Sequence, residues 1–161
     1  MKALIVKLVI YTGASVAAKI YPIKVKDLNL EKGIIKVGEF DVHLPYHLRN
    51  NLSEYVNKLI NNRDKKDLLF KNYNNQPFTE PNKIGGFYTH KNGISSTIAL
   101  SKYAIIQMIE EGVDRDTIQD FTGYGDEVYI SCKEYVDMGM HEKRAKIIDE
   151  TLKTSPLFDI L

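Results

Sequence analysis

The sequence predicts an α+β domain that is mainly α-helical, with a small antiparallel β-sheet near the N-terminus. Three observations predict this class. Apolar residues recur at intervals of three and four in several segments, which is the spacing of helices. Two short β-rich runs, residues 33–37 and 40–44, are separated by Gly38-Glu39 in the manner of a tight hairpin. The second half of the chain shows helical spacing almost throughout.

Apolar spacing predicts two helices in the first half. The first covers residues 4–18, stops before Pro22 and is broken near Gly13. The second has an apolar stripe that runs over residues 46–60 with polar residues on its other face. Residues 72–81, rich in Asn and Pro, predict a surface loop.

The second half is predicted as a series of helices. Ser or Thr at residues 95–97 caps a helix that ends at Gly112. Asp114 caps a shorter helix that ends at Gly123. Two further helices and a tail complete the chain, with Met138-Gly139 between the helices: 126–137, 141–153 and 154–161.

Length and composition bound the class of protein. With 161 residues, 43% hydrophobic and 27% charged, the chain is typical of one globular domain, 1–161, and not of a disordered, fibrous or membrane protein. It contains no repeat or low-complexity tract. The net charge of +1 predicts no strong attraction to nucleic acid or anionic lipid, so any DNA-binding surface must be local.

The single cysteine, Cys132, excludes a disulfide within the chain and a cysteine-rich zinc site. It is predicted to be a small buried hydrophobic residue and not a nucleophile. This cysteine usage favours a reducing, cytoplasmic location. Residues 1–18 mimic a signal peptide, but Lys7 interrupts their apolar core, which favours a buried helix over that alternative and no membrane partner.

Standard catalytic and metal-binding patterns are missing from the sequence. It contains no P-loop, GxGxxG, HExxH or GxSxG motif. His43 and His47 are four residues apart, but Pro45 between them prevents one unbroken helical face. We therefore expect no metal and no cofactor.

The order of the segments over about residues 4–137 is more informative. It runs LIVKLVIYTGASVAAKI, VKDLNLEKGIIKV and VHLPYHLRNNLSEYV, then ALSKYAIIQMIEEGVDRDTIQDFTGYG and EVYISCKEYVD. This order resembles the catalytic domain of tyrosine recombinases, the phage integrases of the Xer type, and EEGVDRDTIQDFTGYG is the best-matched piece. The resemblance implies that fold, and a role in DNA recombination or integration of a mobile or viral element.

The family's active-site residues are replaced at the matching positions. Its Thr-Gly-x-Arg pattern ends here in Ser15, and its His-x-x-Arg pattern corresponds to Ile98 and Ser101. The histidine or tryptophan of the Leu-Gly-His position is Tyr124. The hairpin lysine has no clear counterpart, and only Lys36 is close.

A tyrosine survives in the segment that resembles the nucleophile helix, as Tyr135 or, second, Tyr129. The family's arginines supply forked, permanently charged donors to the phosphate, and serine cannot replace them. The resemblance therefore implies a catalytically degenerate domain. The alternative for Tyr135 is a helix tyrosine that packs against the core with its hydroxyl at the surface.

Lysines of the first third correspond to the family's DNA-facing surface, which implies double-stranded DNA as a partner. With one lysine of the second half, the predicted DNA-binding residues are Lys19, Lys24, Lys26, Lys32, Lys36 and Lys102. An ordinary solvated surface is the alternative. Against DNA binding, acidic residues gather around the remnant active-site loops: Glu110, Glu111, Asp114, Asp116, Asp120, Asp126 and Glu127.

Residues 138–161 form a predicted C-terminal helix and a tail with an apolar end. The resemblance implies that this part is exchanged with a neighbouring subunit, in a homo-oligomer or with a partner recombinase. The alternative is that the tail folds back onto its own domain.

Three hypotheses for function follow. The first is a degenerate recombinase domain with a DNA-binding or assembly role. The second is a divergent active recombinase that uses Tyr135, with cations from a partner chain or from Lys36, His90, Lys91 or Lys102. The third is a protein-interaction or oligomerisation module without affinity for DNA, which the near-neutral charge supports.

Overall fold

A computed structural model of the protein describes residues 1–59, 63–79 and 97–153. In the first half they form α1 (Lys2–Thr12), a π-helical turn (Val16–Ile20), a 3-10 turn (Val25–Asp27), β1 (Leu28–Asn29), β2 (Ile34–Val37), β3 (Phe40–His43) and α2 (Tyr46–Leu59). In the second half they form α3 (Thr97–Glu110), α4 (Arg115–Thr122) and α5 (Asp126–Lys153). The predicted class, mainly helical with a small antiparallel sheet near the N-terminus, is confirmed.

The sheet has the order β1-β2-β3 and is antiparallel throughout. The predicted hairpin is confirmed: β2 and β3 are joined at Gly38, whose φ of 61° suits the first position of a II′ turn. Ile35 and Val37 of β2 are fully buried and pack the sheet against the core. The two-residue strand β1, which pairs with β2, was too short to leave a sequence pattern.

The larger core lies between the sheet, α1 and α2. Two of its aromatic and apolar residues, Leu69 and Phe70, come from the segment that follows α2. The centre of this core consists of side chains with almost no exposed surface: Ile5, Leu8, Val9, Ile20, Ile35, Val37, Leu52, Leu69 and Phe70. The apolar stripes of the two predicted helices therefore do face a common core.

A smaller core lies under α3, α4 and α5. Each helix contributes one buried residue, namely Ile105, Ile118 and Cys132. Cys132 is 1% exposed, as predicted, and burial raises the pKa of its thiol. This thiol is therefore a packing group and not a reactive one.

The first helix ends earlier than predicted. The break near Gly13 is confirmed, since α1 ends at Thr12 and Gly13 lies in the left-handed region with a φ of 70°. The residues beyond it form the separate π-helical turn Val16–Ile20. Ala17 and Ala18, whose spacing predicts a continuation of the apolar face of the first helix, are exposed.

The predicted break at Met138-Gly139 is wrong. The helix α5 runs without interruption from Asp126 to Lys153. A single glycine costs a helix about 1 kcal/mol, and the methionine, glutamate and lysine residues around it favour helix strongly enough to continue. The last part of α5, residues 141–153, is exposed on all sides.

Several predicted features fall outside the described residues. These are the caps Ser95 and Ser96, the cationic candidates His90 and Lys91, and the tail 154–161. Within the described ranges, no helix is both long and apolar enough to cross a membrane. Nor do His, Cys, Asp or Glu side chains gather there in a group of three that could hold a metal ion.

Candidate functional site

The end of α1 packs directly against α3. The N–H of Gly13 donates to the carbonyl of Val9 at 2.8 Å and closes the helix. A Cβ at Gly13 would lie 3.1 Å from the Ala104 Cβ and 3.2 Å from the Ser101 carbonyl oxygen. Only glycine suits both this backbone conformation and this close approach. Gly13 therefore fixes how closely the residues after α1 approach the middle of α3.

Ser15 opens the π-helical turn and connects it to α4. Its N–H donates to the carbonyl of Thr122, the last residue of α4, at 2.7 Å. Its carbonyl accepts from the N–H of Lys19 at 2.9 Å, and also from the N–H of Ile20 at 3.1 Å, which is the wider spacing of a π turn. Such turns are frequent at functional sites.

A second Thr-Gly pair closes α4 in the same way as Thr12 and Gly13 close α1. The hydroxyl of Thr122 donates to the Ile118 carbonyl at 2.7 Å and accepts from the N–H of Tyr124 at 3.4 Å. Gly123 lies in the left-handed region with a φ of 74°. This glycine turns the chain so that Tyr124 faces α3.

These elements bring Ser15, Ser101 and Tyr124 together in what we call the serine–tyrosine cluster. The Tyr124 hydroxyl lies 3.0 Å from the Ser101 Oγ, and the Ser15 side chain, whose Oγ accepts from the Ala18 N–H at 3.4 Å, is near enough to lower the pKa of the Tyr124 phenol. Ser101 is completely buried. Burial raises the pKa of the Tyr124 phenol, and the two serine side chains offset this only in part.

The serine–tyrosine cluster is made of neutral groups. At the positions where the resemblance implies two arginines and a histidine or tryptophan, it offers three hydroxyl groups, of which those of Tyr124 and Ser101 are hydrogen-bonded. With its oxygen bonded to Tyr124 and no exposed surface, Ser101 has no room for a phosphate. The arrangement stabilises the contact between α3 and the α4–α5 connection, and it does not supply positive charge.

Ile98 and Lys36 do not contribute hydroxyl groups as the members of the serine–tyrosine cluster do. Ile98 is on α3, one turn before Ser101, and its aliphatic side chain is 38% exposed. Lys36 forms an ion pair with Glu39 across the hairpin turn at 3.6 Å. The lysine closest in sequence to the family's hairpin lysine is therefore paired with an acid of the same turn.

Sequence reasoning missed the surroundings of Lys19. Its Nζ lies 3.9 Å from an Asp120 carboxylate oxygen on α4. Its side chain passes Gly123 and ends beside Gly38, so a Cβ at either glycine would come within 3.1 Å of it. The two glycines were visible in the sequence as turn signals, but their common neighbour was not.

The other predicted DNA-binding lysines divide into two groups. Lys102 on α3 donates from its Nζ to the Ser131 hydroxyl on α5 at 2.8 Å, so it joins two helices. Lys24, Lys26 and Lys32 are exposed around the 3-10 turn and the β1–β2 connection.

Within the described part of the chain, Tyr135 makes no hydrogen bond or ring contact with the serine–tyrosine cluster. Its side chain is 65% exposed and lines a shallow cavity with Glu110, the last residue of α3. The alternative prediction for Tyr135 is a side chain that packs against the core with its hydroxyl at the surface. The exposed side chain agrees with the second part of that prediction and not with the first.

Tyr129 lies closer to the loops but is occupied by Arg115. The Arg115 guanidinium carbon is 5.7 Å from the centre of the Tyr129 ring, and the same guanidinium forms an ion pair with Asp126. Arg115 and the Gln119 amide hold the pKa of the Asp126 carboxyl below its usual value. Arg115, the one cation among the acidic residues of these loops, is thus already paired.

Comparisons with known proteins show what the fold resembles. No family model matches the sequence, and no curated protein does. The XerA recombinase structure aligns with a TM-score of 0.66 at 20% identity, over 90% of this chain and 55% of that chain. The XerH site-specific recombinase bound to palindromic difH substrate aligns with a TM-score of 0.66 at 19% identity, over 92% and 46%.

A transposon integrase is also similar. The Tn1549 integrase in complex with circular intermediate DNA aligns with a TM-score of 0.53 at 13% identity, over 78% of this chain and 50% of that chain. The chain thus spans about half the length of the solved structures that it resembles. Together with the mainly helical architecture and the three-stranded sheet, these alignments show that the chain has a tyrosine recombinase-like fold.

Proposed function

We propose that this chain is a recombinase-like domain that associates with the phosphate backbone of double-stranded DNA without cleaving it. The observation that carries the proposal is the serine–tyrosine cluster, which places the neutral side chains of Ser15, Ser101 and Tyr124 where the resemblance implies cations. The chain keeps the recombinase-like fold, but its site lacks the charged groups that recombinases use for cleavage.

The loss of positive charge explains why cleavage is not expected. A tyrosine that attacks a phosphodiester builds negative charge on the non-bridging oxygens, which arginine stabilises with forked, permanently charged donors. In related phosphoryl transfers one arginine contributes on the order of 10³ to 10⁵ in rate. A serine at each of two such positions leaves Tyr135, whose side chain is 65% exposed, without this help.

Association with DNA has separate support. Lys24, Lys26 and Lys32 are exposed on neighbouring turns of one segment, and lysines bind phosphate oxygens without reading sequence. The solved structures with this fold include XerH bound to difH substrate and Tn1549 integrase in complex with circular intermediate DNA. A single domain, 1–161, in the cytoplasm, acting in the recombination or integration of a mobile or viral element, is the setting that we propose with it.

Fluorescence anisotropy of a labelled generic duplex tests the association. We expect binding at about 50 mM salt that weakens steeply by about 200 mM, because phosphate contacts release counterions. The triple variant Lys24→Gln, Lys26→Gln, Lys32→Gln is expected to reduce the slope of log K against log salt by about 3. A matched variant neutralises three exposed lysines of α5, namely Lys143, Lys146 and Lys153. Absence of binding at both salts would reject the DNA role of the chain.

Assembly through α5 is the second candidate function. Residues 141–153 are exposed on all sides, although they include Ile147 at 62%, Ile148 at 59% and Leu152 at 65%. Apolar side chains on a projecting helix are typical of a surface that a partner covers. We propose that a second copy of this chain covers it.

Sedimentation velocity of Ile148→Glu, Leu152→Glu tests the assembly. We expect dimers of the wild type at tens of micromolar and monomers of the variant. Lys143→Gln, Lys146→Gln changes the net charge equally without removing apolar surface, and it should leave the dimer intact. A wild type that sediments as a monomer would reject a role of α5 in self-association.

A further inference from the structure

The Lys19 side chain lies at the point where three segments of the chain meet. It starts in the π-helical turn, passes the link between α4 and α5 and ends at the β2–β3 turn. A Cβ at Gly123 would lie 3.1 Å from the Lys19 Cγ, and a Cβ at Gly38 would lie 3.0 Å from its Nζ. Both glycines have positive φ, so the backbone at each contact favours glycine independently of Lys19.

This packing fixes the ammonium group unusually well for a lysine. The Lys19 side chain is only 18% exposed, whereas a surface lysine normally samples many rotamers. Holding the aliphatic stem in advance removes much of the ordering cost that a lysine otherwise incurs when it binds an anion. The ammonium group is therefore pre-positioned beside the hairpin turn.

The ion-pair partner of this ammonium group in the described residues is weakly held. Asp120 is 67% exposed, and its carboxylate oxygen is 3.9 Å from the Lys19 Nζ, which is too long for a hydrogen bond. Exposed pairs of this kind contribute little because water competes for both charges. A well-positioned cation thus faces an exposed carboxylate that it does not hydrogen-bond.

We propose that Lys19 is a phosphate-binding residue and that Asp120 occupies, in the unliganded protein, the position where a phosphate oxygen binds. The ligand is a phosphate group, carried by a duplex DNA backbone or by a free phosphate compound. Binding exchanges the Asp120 carboxylate for the phosphate. This inference rests on the proposed function, because it names Lys19 as one contact of the same DNA association. Asp120 inhibits that contact until a phosphate displaces it.

The duplex arm of the test uses Asp120→Asn and a matched control. Asp116→Asn removes the same charge from an exposed position of the same helix, but it has no ion pair with Lys19. By anisotropy at about 50 mM salt, we expect Asp120→Asn to bind about two- to fivefold more tightly than Asp116→Asn. The gain should disappear in the background Lys19→Met, which keeps the aliphatic stem and removes the charge.

Lys19→Met alone should weaken binding and reduce the slope of log K against log salt by about one. The proposal is overturned if Asp120→Asn and Asp116→Asn bind equally, or if the gain of Asp120→Asn persists without Lys19. In either case duplex binding itself still supports the proposed function.

The second arm uses inorganic pyrophosphate and the amide resonances of Gly38 and Gly123. We expect both to shift on titration, more at a given concentration in Asp120→Asn, and neither to shift in Lys19→Met. Shifts without any duplex binding would support the phosphate site and reject the proposed DNA role. Neither shifts nor duplex binding would overturn both.

Discussion

The Tyr124 hydroxyl and the Ser101 Oγ lie 3.0 Å apart between the α4–α5 connection and the middle of α3. Ser101 has no exposed surface, so water cannot replace this bond. A hydrogen bond of this kind holds two helical segments together and at the same time fills the space that a larger charged side chain would need. The two residues thus stabilise the packing of the α4–α5 connection against α3.

Tyr124→Phe removes one partner of that bond and leaves a buried serine hydroxyl unpaired. We expect a loss of about 1–3 kcal/mol in the free energy of unfolding, measured by urea denaturation. Tyr103→Phe is the matched control, because Tyr103 is 62% exposed on the same helix as Ser101, and its loss should be under about 0.5 kcal/mol. Adding Ser101→Ala to Tyr124→Phe should recover part of the stability. Equal effects of the two tyrosine variants would contradict a structural role for the bond.

Ser101→Arg is expected to disrupt the domain instead of restoring an active site. The site is completely buried beside Gly13 and Ala104, so a guanidinium there would be both oversized and unpaired. We expect a destabilisation of more than about 3 kcal/mol. Ile98→Arg introduces the same side chain one turn earlier at an exposed position and should change stability by about 0.5 kcal/mol or less. A stable Ser101→Arg variant would show that the space is available.

Two glycine-to-alanine changes should have opposite signs. Gly13→Ala places a Cβ within 3.2 Å of α3 on a backbone with a φ of 70°, and should cost more than about 1 kcal/mol in the free energy of unfolding. Gly139→Ala adds a Cβ in open space inside the continuous helix α5, and should add about 0.5–1 kcal/mol to the stability of that helix. Circular dichroism checks the second change. Helix content should rise in Gly139→Ala, and it would not rise if α5 were broken at Gly139.

High pH should destabilise the fold through the buried phenol of Tyr124. Its pKa is raised by burial above the ordinary value of about 10, so above pH 10 the unfolded chain releases this proton while the folded chain keeps it. The free energy of unfolding should therefore fall as pH rises from 10. In Tyr124→Phe it should fall less steeply. Tyr21→Phe is a useful comparison, because burial raises the pKa of Tyr21 to about 12 and its contribution is lost between pH 10 and about 12.

The fold could be predicted from sequence where periodicity and turn chemistry agree. The hairpin at Gly38 and the helix ends at Gly13 and Gly123 carry glycine signals that match their backbone angles. The break expected at Met138-Gly139 failed because a lone glycine in a strong helical context is tolerated.

The site could be predicted only in part. The resemblance points to Ser15, Ser101 and Tyr124, but the hydrogen bond between Ser101 and Tyr124 depends on how α3 and α4 pack. The Lys19–Asp120 pair joins residues about a hundred positions apart and left no local pattern. The resemblance of EVYISCKEYVD to the family's nucleophile helix identifies Tyr135 as the candidate nucleophile, and only the packing of α5 shows that its side chain is 65% exposed.

The central claim is that this fold associates with DNA without cleaving it. The most direct measurement incubates the protein with a pool of nicked duplexes whose central sequence is randomised, and then searches by mass spectrometry for phosphotyrosyl peptides. We predict none at Tyr135 or Tyr129 under conditions where anisotropy shows the duplexes bound. A covalent adduct at Tyr135 that is lost in Tyr135→Phe would contradict the account and establish a divergent active recombinase.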